Sequence, residues 1–404
     1  MKRRLVHFWF VRLRPALLRI LAGILRALPI SSRNGGVPKG VIWNSAEWIR
    51  GVGRRNLSVP EGSGHWQVKV RDAEEIALPE PKSVERPVPR VFDPYRRVRY
   101  PELTVTGIRR GRVATSEGTV ISPDDRIFDQ FTHQWGEPVW ENKAFGVPGL
   151  GRLERRDGAW ATLVVPASGS NVGHWVMDGV LRLSVLEASG RAGDAKLILP
   201  NVDARWTQPV EALGYGPDRY AGLREGHWEV DELLVPSFLA PSGFLRPWAV
   251  RWFRERLGVE GKPRGSRRLW ISRGRARFRR LQNEEEILAL LSREGFEKVE
   301  LERLSFREQV DLLSQAGAVA GPHGAGMTDL LFAPRGIRVL EFFPPGFVNP
   351  VFYSMANSVD QEYYYLTGYS LPEDRNPEGA RDLDHFRVDP ENIVRTLRLM
   401  NLPA

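Results

Sequence analysis

LWISRGRARFRRLQNEEEILALLSREGFEKVELERLSFREQVDLLSQAGAVAGPHGAGMTDLLFAPRGIRVLEFF, from Leu269 to Phe343, alternates two hydrophobic patterns. The short apolar runs LWIS, KVELE, AVAG and IRVLEFF read as strands. Between them, apolar residues recur every three or four positions, which predicts helices over Asn283–Arg293 and Ser305–Ala316 and a short one ending at Phe332. Asn283 with Glu286, and Ser305 with Glu308, have the spacing of a capping box. Gly317 ends the second helix, and Pro344-Pro345 stops the last strand. Strands and helices in this order predict a parallel sheet with crossover helices.

The same alternation runs upstream. ATLVV (Ala161–Val165), KLILP (Lys196–Pro200) and Val230–Pro236 read as strands, and His174–Ala188 and Trp206–Leu213 as helices. A Pro/Gly-rich bridge, APSGFLRP, begins at Ala240. The fold expected is α/β, with two Rossmann-like halves facing each other across a cleft. Arg112–Phe128 alternates around a Ser-Glu-Gly turn and reads as a hairpin, with Asp124-Asp125 in turn chemistry. The chain divides by pattern into 1–30, a basic apolar helix; 31–100, linker and short strands; 101–240, a first Rossmann-like domain; 241–370, a second Rossmann-like domain; and 371–404, a helical tail packing back.

The length of 404 residues suits two domains. The absence of cysteine excludes disulfides, thiolate metal sites and cysteine nucleophiles, and suits a reducing cytoplasm. Seven histidines without a tight His/Asp/Glu cluster give no metal site. A net charge of +9, carried largely by arginine, points to nucleic acid, anionic lipid or a phosphorylated small molecule. In residues 1–30, Arg12, Arg19 and Arg26 are seven apart and interrupt the apolar run. That segment is too charged to cross a bilayer and suits a helix lying in an anionic membrane interface; the alternative is packing on the protein's own surface. The expected location is therefore cytoplasmic, on the inner face of the cell membrane.

Ligands of open parallel sheets bind beyond the carboxyl ends of the strands. Four unusual segments fall there. Ser272 and Arg273 follow LWIS, and eight arginines lie between Arg264 and Arg280. Arg279 and Arg280 precede a helix N-terminus, which adds partial positive charge and favours a diphosphate. A solvated basic surface or single-stranded nucleic acid would fit those arginines too. His323-Gly324-Ala325-Gly326 follow AVAG, where glycines let backbone N–H groups approach a ligand, and Thr328 opens the next helix. Glu341 ends an apolar strand, where it would accept from ribose hydroxyls or pair with an arginine. His174 and Asp178, four apart on one helix face, offer a general base and its partner, or merely a helix cap.

The segments HWVMDGVLRL, ISRGRARFRRLQNEEEI, LSFREQVDLLSQA and GPHGAGMTDLLFAPRGIRVLEFFPP, in that order, resemble the glycosyltransferase family 61 domain of capsular polysaccharide biosynthesis type. The resemblance covers about residues 100–370 and implies a GT-B architecture, an inverting reaction, a UDP-sugar donor and no metal or other cofactor. It places Arg273, Arg279 and the loop His323–Gly326 at the donor, with Glu341 at the ribose and Asp178 and His174 at the acceptor. Asp329 stands where the family often has asparagine, and Met327 where it has leucine. Asp382-Leu383-Asp384 forms a DxD in a polar tail and reads as incidental. The implied partners are a nucleotide sugar, a glycan or lipid-linked acceptor and an anionic membrane surface, with no nucleic acid. The competing classes are a nucleic-acid binder using residues 264–280, which predicts salt-sensitive oligonucleotide binding, and a catalytically silent nucleotide-sugar-binding protein.

Overall fold

The computed structural model describes residues 17, 20, 23, 24, 30–51, 64–132, 138–147, 149–241, 243–376 and 383–402. Nearly all of the expected membrane-interface helix, and Asp382 of the DxD, lie outside them. Within them the strands are β1 Gly40–Ile42, β2 Trp66–Arg71, β3 Glu74–Ala77, β4 Arg97–Tyr100, β5 Leu103–Arg109, β6 Arg112–Ala114, β7 Thr119–Ile121, β8 Arg126–Phe128, β9 Leu153–Thr162, β10 Lys196–Leu199, β11 Tyr220–Gly222, β12 His227–Pro236, β13 Arg267–Ile271, β14 Phe296–Val299, β15 Ala316–Pro322, β16 Arg338–Phe343 and β17 Glu362–Thr367. The chain forms two compact units. The first comprises residues 1–72 and 102–238, the second 73–101 and 239–404. The segment expected as linker is thus divided between them.

The first unit is a mixed sheet rather than the parallel Rossmann sheet expected. β12 is its spine, running parallel to β9 and antiparallel to β5 and β6. β9, β10 and β11 continue in parallel, whereas β6, β7 and β8 form an antiparallel meander. Connection length decides the difference. Only residues 115–118 separate β6 from β7 and only 122–125 separate β7 from β8, whereas parallel pairing needs a crossover of a dozen residues or more. The ATLVV strand is longer and earlier than its apolar residues suggest. β9 starts at Leu153 and runs through the charged LERRDGA before ending at Thr162. Its pairing with β12 shifts between Val230 and Glu232, and the Gly158 N–H there donates to the Asp231 carboxylate at 2.7 Å. The core is built from Ile108, Val113, Trp160, Ile198, Trp228 and Leu233. Asp125 is at a turn with φ 68°, as its sequence context implies, but its carboxylate is also tied at 2.7 Å to the buried Arg112 guanidinium.

The second unit holds a five-stranded, all-parallel sheet in the order β14-β13-β15-β16-β17. Helices Glu284–Arg293, Phe306–Leu313 and Val351–Ser358 and a 3-10 run, Ala325–Phe332, make the crossovers. The chain first steps outward from β13 to β14, then returns past β13 to β15 and proceeds the other way. β13 and β15 therefore flank the topological switch point, the place where such sheets bind ligands. Ser305 and Glu308 form the expected capping box. Asn283 and Glu286 do not. The Asn283 amide instead donates to the Val388 carbonyl at 2.9 Å and accepts from the Val388 N–H, fastening the C-terminal segment. That segment ends in helix Pro390–Met400, whose Ile393 and Met400 pack with Trp270, Ile287 and Leu340. Residues 73–101 complete this unit from the β17 side. Lys82 bridges to Tyr364, the Thr367 N–H donates to Glu85, and Phe92 packs against Tyr353 and Tyr365.

Candidate functional site

At the switch point β13 delivers Arg273 and β15 delivers the loop His323–Gly326. The two meet face to face. A Cβ built on Gly324 would fall 1.6 Å from Arg273 Nη1 and 2.4 Å from its Cζ. Gly324 has an extended φ of 169°, so glycine is required here for room and not for a left-handed backbone. Gly326 likewise gives space, to Ile271 and Leu301. The loop glycines thus seat the loop on β13 and its arginine, beyond the close ligand approach that the sequence suggests.

Among the described residues the Arg273 side chain makes one hydrogen bond, from Nη2 to the Phe278 carbonyl at 3.3 Å, and its buried Nε has no partner. Among the described residues no carboxylate lies within ion-pair distance of it. Burial, then the nearby Arg279, push its guanidinium down to about 10, against a pull from Glu302. It still carries its charge at neutral pH. Arg279 has φ 55°, a costly left-handed conformation for a non-glycine residue, and its guanidinium lies 4.6 Å from the Phe347 ring centre. Two guanidiniums held close together, one of them half-buried without a carboxylate within ion-pair distance among the described residues, could receive an anion.

His323 is buried among Phe343, Phe347 and Phe352. Its Nδ1 lies 2.5 Å from Glu341 Oε1, while the Tyr363 hydroxyl donates to Glu341 Oε2 at 2.5 Å. Burial pushes the His323 imidazole down despite Glu341, so its neutral form donates Nδ1–H to the carboxylate and leaves Nε2 as an acceptor. Both readings of Glu341 need correction. It has no solvent exposure and both its oxygens are engaged, so it faces neither a ribose nor an arginine; it orients His323. Tyr363 was not legible as a partner, since nothing in the run Tyr363–Tyr365 marks one ring over another.

The remaining donor-side residues separate. The Ser272 hydroxyl accepts from the Gly274 N–H at 3.2 Å and shapes the turn after β13. Thr328 is buried, with a hydroxyl that has no partner. Arg280, expected at the diphosphate, is turned to the C-terminal segment: its N–H donates to His385 Nδ1 and its Nη2 lies 3.4 Å from His385 Nε2. Burial pushes the Asp329 carboxyl up to about 8, so it is mostly uncharged at neutral pH and close in shape and charge to an asparagine. Asp384 of the DxD is buried and accepts the Asn376 N–H at 2.6 Å. Among the described residues no group of three or more His, Asp or Glu side chains is placed to hold a metal.

His174 and Asp178 belong to the first unit. A helical run begins with Asn171 capping Val172–His174, passes through a π turn, Trp175–Gly179, and a 3-10 turn, Val180–Arg182, and ends as Leu183–Ala188. Single π turns occur often at functional sites. Gly179 permits this one, because a Cβ there would meet the Trp175 ring at 2.6 Å. His174 Nδ1 and Asp178 Oδ2 are 2.8 Å apart, both partly exposed.

The glycosyltransferase 61 family profile matches residues 172–340, from the first turn of this helical run to β16. The chain carries a glycosyltransferase 61 domain. That domain takes in both the His174–Asp178 pair and the Arg273–Gly324 contact. Protein O-linked-mannose beta-1,4-N-acetylglucosaminyltransferase 2 of Canis lupus familiaris is 37% identical over 123 residues, which is 29% of this chain and 21% of that protein. The mouse (Mus musculus) protein of the same name is 38% identical over 110 residues, 26% of this chain and 19% of that protein. The EGF domain-specific O-linked N-acetylglucosamine transferase of Drosophila melanogaster is 33% identical over 107 residues, 25% of this chain and 20% of that protein. The chain spans about a fifth of the length of these relatives of its glycosyltransferase 61 domain. No helix among the described residues is long and apolar enough to cross a membrane.

Gly324→Ala gives a direct test of the arginine seat. Its methyl group displaces Arg273, so affinity for a nucleoside diphosphate falls by at least about tenfold, the equivalent of one charge-assisted contact. Calorimetry with UDP checks this, and unchanged affinity would show that Arg273 binds nothing where it lies.

Proposed function

We propose that this protein is an inverting glycosyltransferase that moves a sugar from a nucleoside-diphosphate donor, a UDP-sugar, to a hydroxyl of a glycan or lipid-linked acceptor in cell-surface polysaccharide synthesis. The observation carrying the proposal is Arg273, half-buried against Gly324 at the switch point of a parallel sheet, with a buried Nε that has no partner and no carboxylate within ion-pair distance among the described residues. In this reading the second unit binds the donor as the nucleotide-binding half of a GT-B arrangement. Arg273, Arg279 and the loop N–H groups hold the diphosphate, with Ser272 and Thr328 at its margin. His323 Nε2, presented by Glu341, accepts from a donor hydroxyl. The first unit supplies the base.

Asp178 takes the proton of the acceptor hydroxyl. The oxygen forms its bond to the anomeric carbon from the face opposite the diphosphate. The bond from that carbon to the phosphate oxygen breaks, and its electron pair leaves with the diphosphate. The arginines stabilise the charge that develops there, the task a divalent cation performs elsewhere, so the reaction proceeds without metal. The relatives' names make UDP-N-acetylglucosamine the first donor to try. A panel of nucleotide sugars, read as donor hydrolysis and as transfer to glycan and lipid-linked acceptors with and without chelator, tests the proposal. Turnover with one UDP-sugar that survives chelator supports it. No turnover with any donor, or loss to chelator with rescue by Mn²⁺, counts against it.

Residues 1–30 are proposed to tether the enzyme to an anionic membrane surface. Their removal should abolish binding to vesicles containing phosphatidylserine or phosphatidylglycerol and spare activity on a soluble acceptor. Equal vesicle binding by both proteins in a flotation assay would reject the tether.

A further inference from the structure

One turn beyond Asp178 in the same helical run lies Arg182. It is one of the largest fully buried side chains in the chain. Its Nε and Nη2 both donate to the Pro236 carbonyl at the end of β12, at 3.0 and 2.5 Å. Its guanidinium lies 4.9 Å from the Phe238 ring centre. Its Nη1 is buried with no hydrogen-bond partner, and among the described residues no carboxylate comes within ion-pair distance.

A lone buried guanidinium is expensive to keep in a fold. Binding one carbonyl does not require a charge, since a neutral amide would donate as well. Burial alone would make a neutral side chain the better choice at this place. The acidic group whose field acts on Arg182 is Asp178, and its attraction offsets part of what burial takes away. Arg182 thus combines two properties: a mechanical tie from the helical run to the end of β12, and a buried positive charge one turn along the same run from the carboxylate that His174 meets.

We propose that Arg182 is a positioning residue for Asp178, holding the carboxylate in place through its tie to Pro236 and through its buried charge. The inference rests on Asp178 being the base. Arg182 is fully buried, so in this proposal it acts on the reaction through Asp178 and not by contact with substrate. Asp178→Asn should therefore make the reaction insensitive to the charge at 182.

The test is a double-mutant cycle on the full chain, in a radiolabelled-donor assay able to read the residual Asp178→Asn rate. Arg182→Gln keeps an amide donor for Pro236 and removes the charge; Arg182→Lys keeps the charge and loses the fork. Arg182→Gln should lower kcat by about tenfold or more with little change in donor KM, and Arg182→Lys should recover much of that loss. In the Asp178→Asn background, Arg182→Gln should change the rate less than about twofold. Three results overturn the inference: near-normal turnover in Arg182→Gln; a full-sized loss from Arg182→Gln when Asp178 is already asparagine; or an equal loss in Arg182→Lys and Arg182→Gln. In each of these, inactive Asp178→Asn leaves the base assignment standing. An active Asp178→Asn protein removes the base assignment and this inference together. Should Arg182→Gln fail to fold, the cycle runs on Arg182→Lys, and additive losses there overturn the inference equally.

Discussion

Turnover of the Asp178→Asn protein is expected to fall at least about a hundredfold, because general-base catalysis contributes about 10²–10⁴ and asparagine keeps the size but not the basicity of the side chain. UDP affinity and thermal melting should stay as they are. The His174 contact of 2.8 Å survives the change in altered form, since an amide oxygen accepts from Nδ1–H as a carboxylate does. His174→Ala is the control. If Asp178 is the base, losing His174 releases the carboxylate and costs less. Near-normal turnover in Asp178→Asn with a large loss in His174→Ala would exchange the two roles. Activity in both would make this helical run structural.

Replacing Arg273 by alanine has the other large expected effect, on binding rather than on the proton. A charge-assisted contact contributes about 1.5–3 kcal/mol, so UDP affinity should drop roughly ten- to 150-fold. Arg279→Ala should weaken UDP as well. Alanine keeps the Cβ that makes a left-handed backbone at φ 55° costly, so no gain in melting temperature is expected from relief of strain there. UDP titrations of both variants by calorimetry check the assignment. Unchanged affinity in both would remove the arginines from the donor site.

The C-terminal sheet was legible because its inner strands β13, β15 and β16 are largely buried and read as near-continuous apolar runs, with helices of ordinary period between; β14, an edge strand, exposes Glu297 and Lys298, and β17 was not among the strands expected. The residues at the carboxyl ends of these strands followed from the strand boundaries. The contact between Arg273 and Gly324 could not be foreseen, because it depends on two strands far apart in sequence arriving side by side. The same is true of Glu341. Its charge at the end of an apolar strand was visible, but whether a ribose, an arginine or His323 answered it depended on β15 and β17. Most of β9 escaped because seven of its ten residues, LERRDGA, form a charged run broken by Gly158 at φ 83°. The role of residues 73–101 escaped because a Pro-rich stretch with little periodicity looks the same whether it links two bodies or lines one. Its assignment rests on Lys82, Glu85 and Phe92 and the neighbours they find.

Residues 73–101 leave the ribosome well before the strands they accompany. Between them and Leu239, the next residue of their own unit, the chain must emit all of 102–238. At roughly 5–20 residues per second this wait lasts several seconds or more, long compared with the folding of a small domain. During it Phe92, Val98 and Tyr100, each buried in the finished fold, have no native cover. The nascent chain therefore exposes an aromatic segment in its middle while the sheet around it closes, which makes that segment a natural station for a chaperone. The same threading bars a single cut from releasing either unit intact. A fragment starting at Leu239 lacks Lys82, the strand partner of Tyr364, and the ring of Phe92, and should be recovered soluble only when a peptide spanning 73–101 is supplied with it.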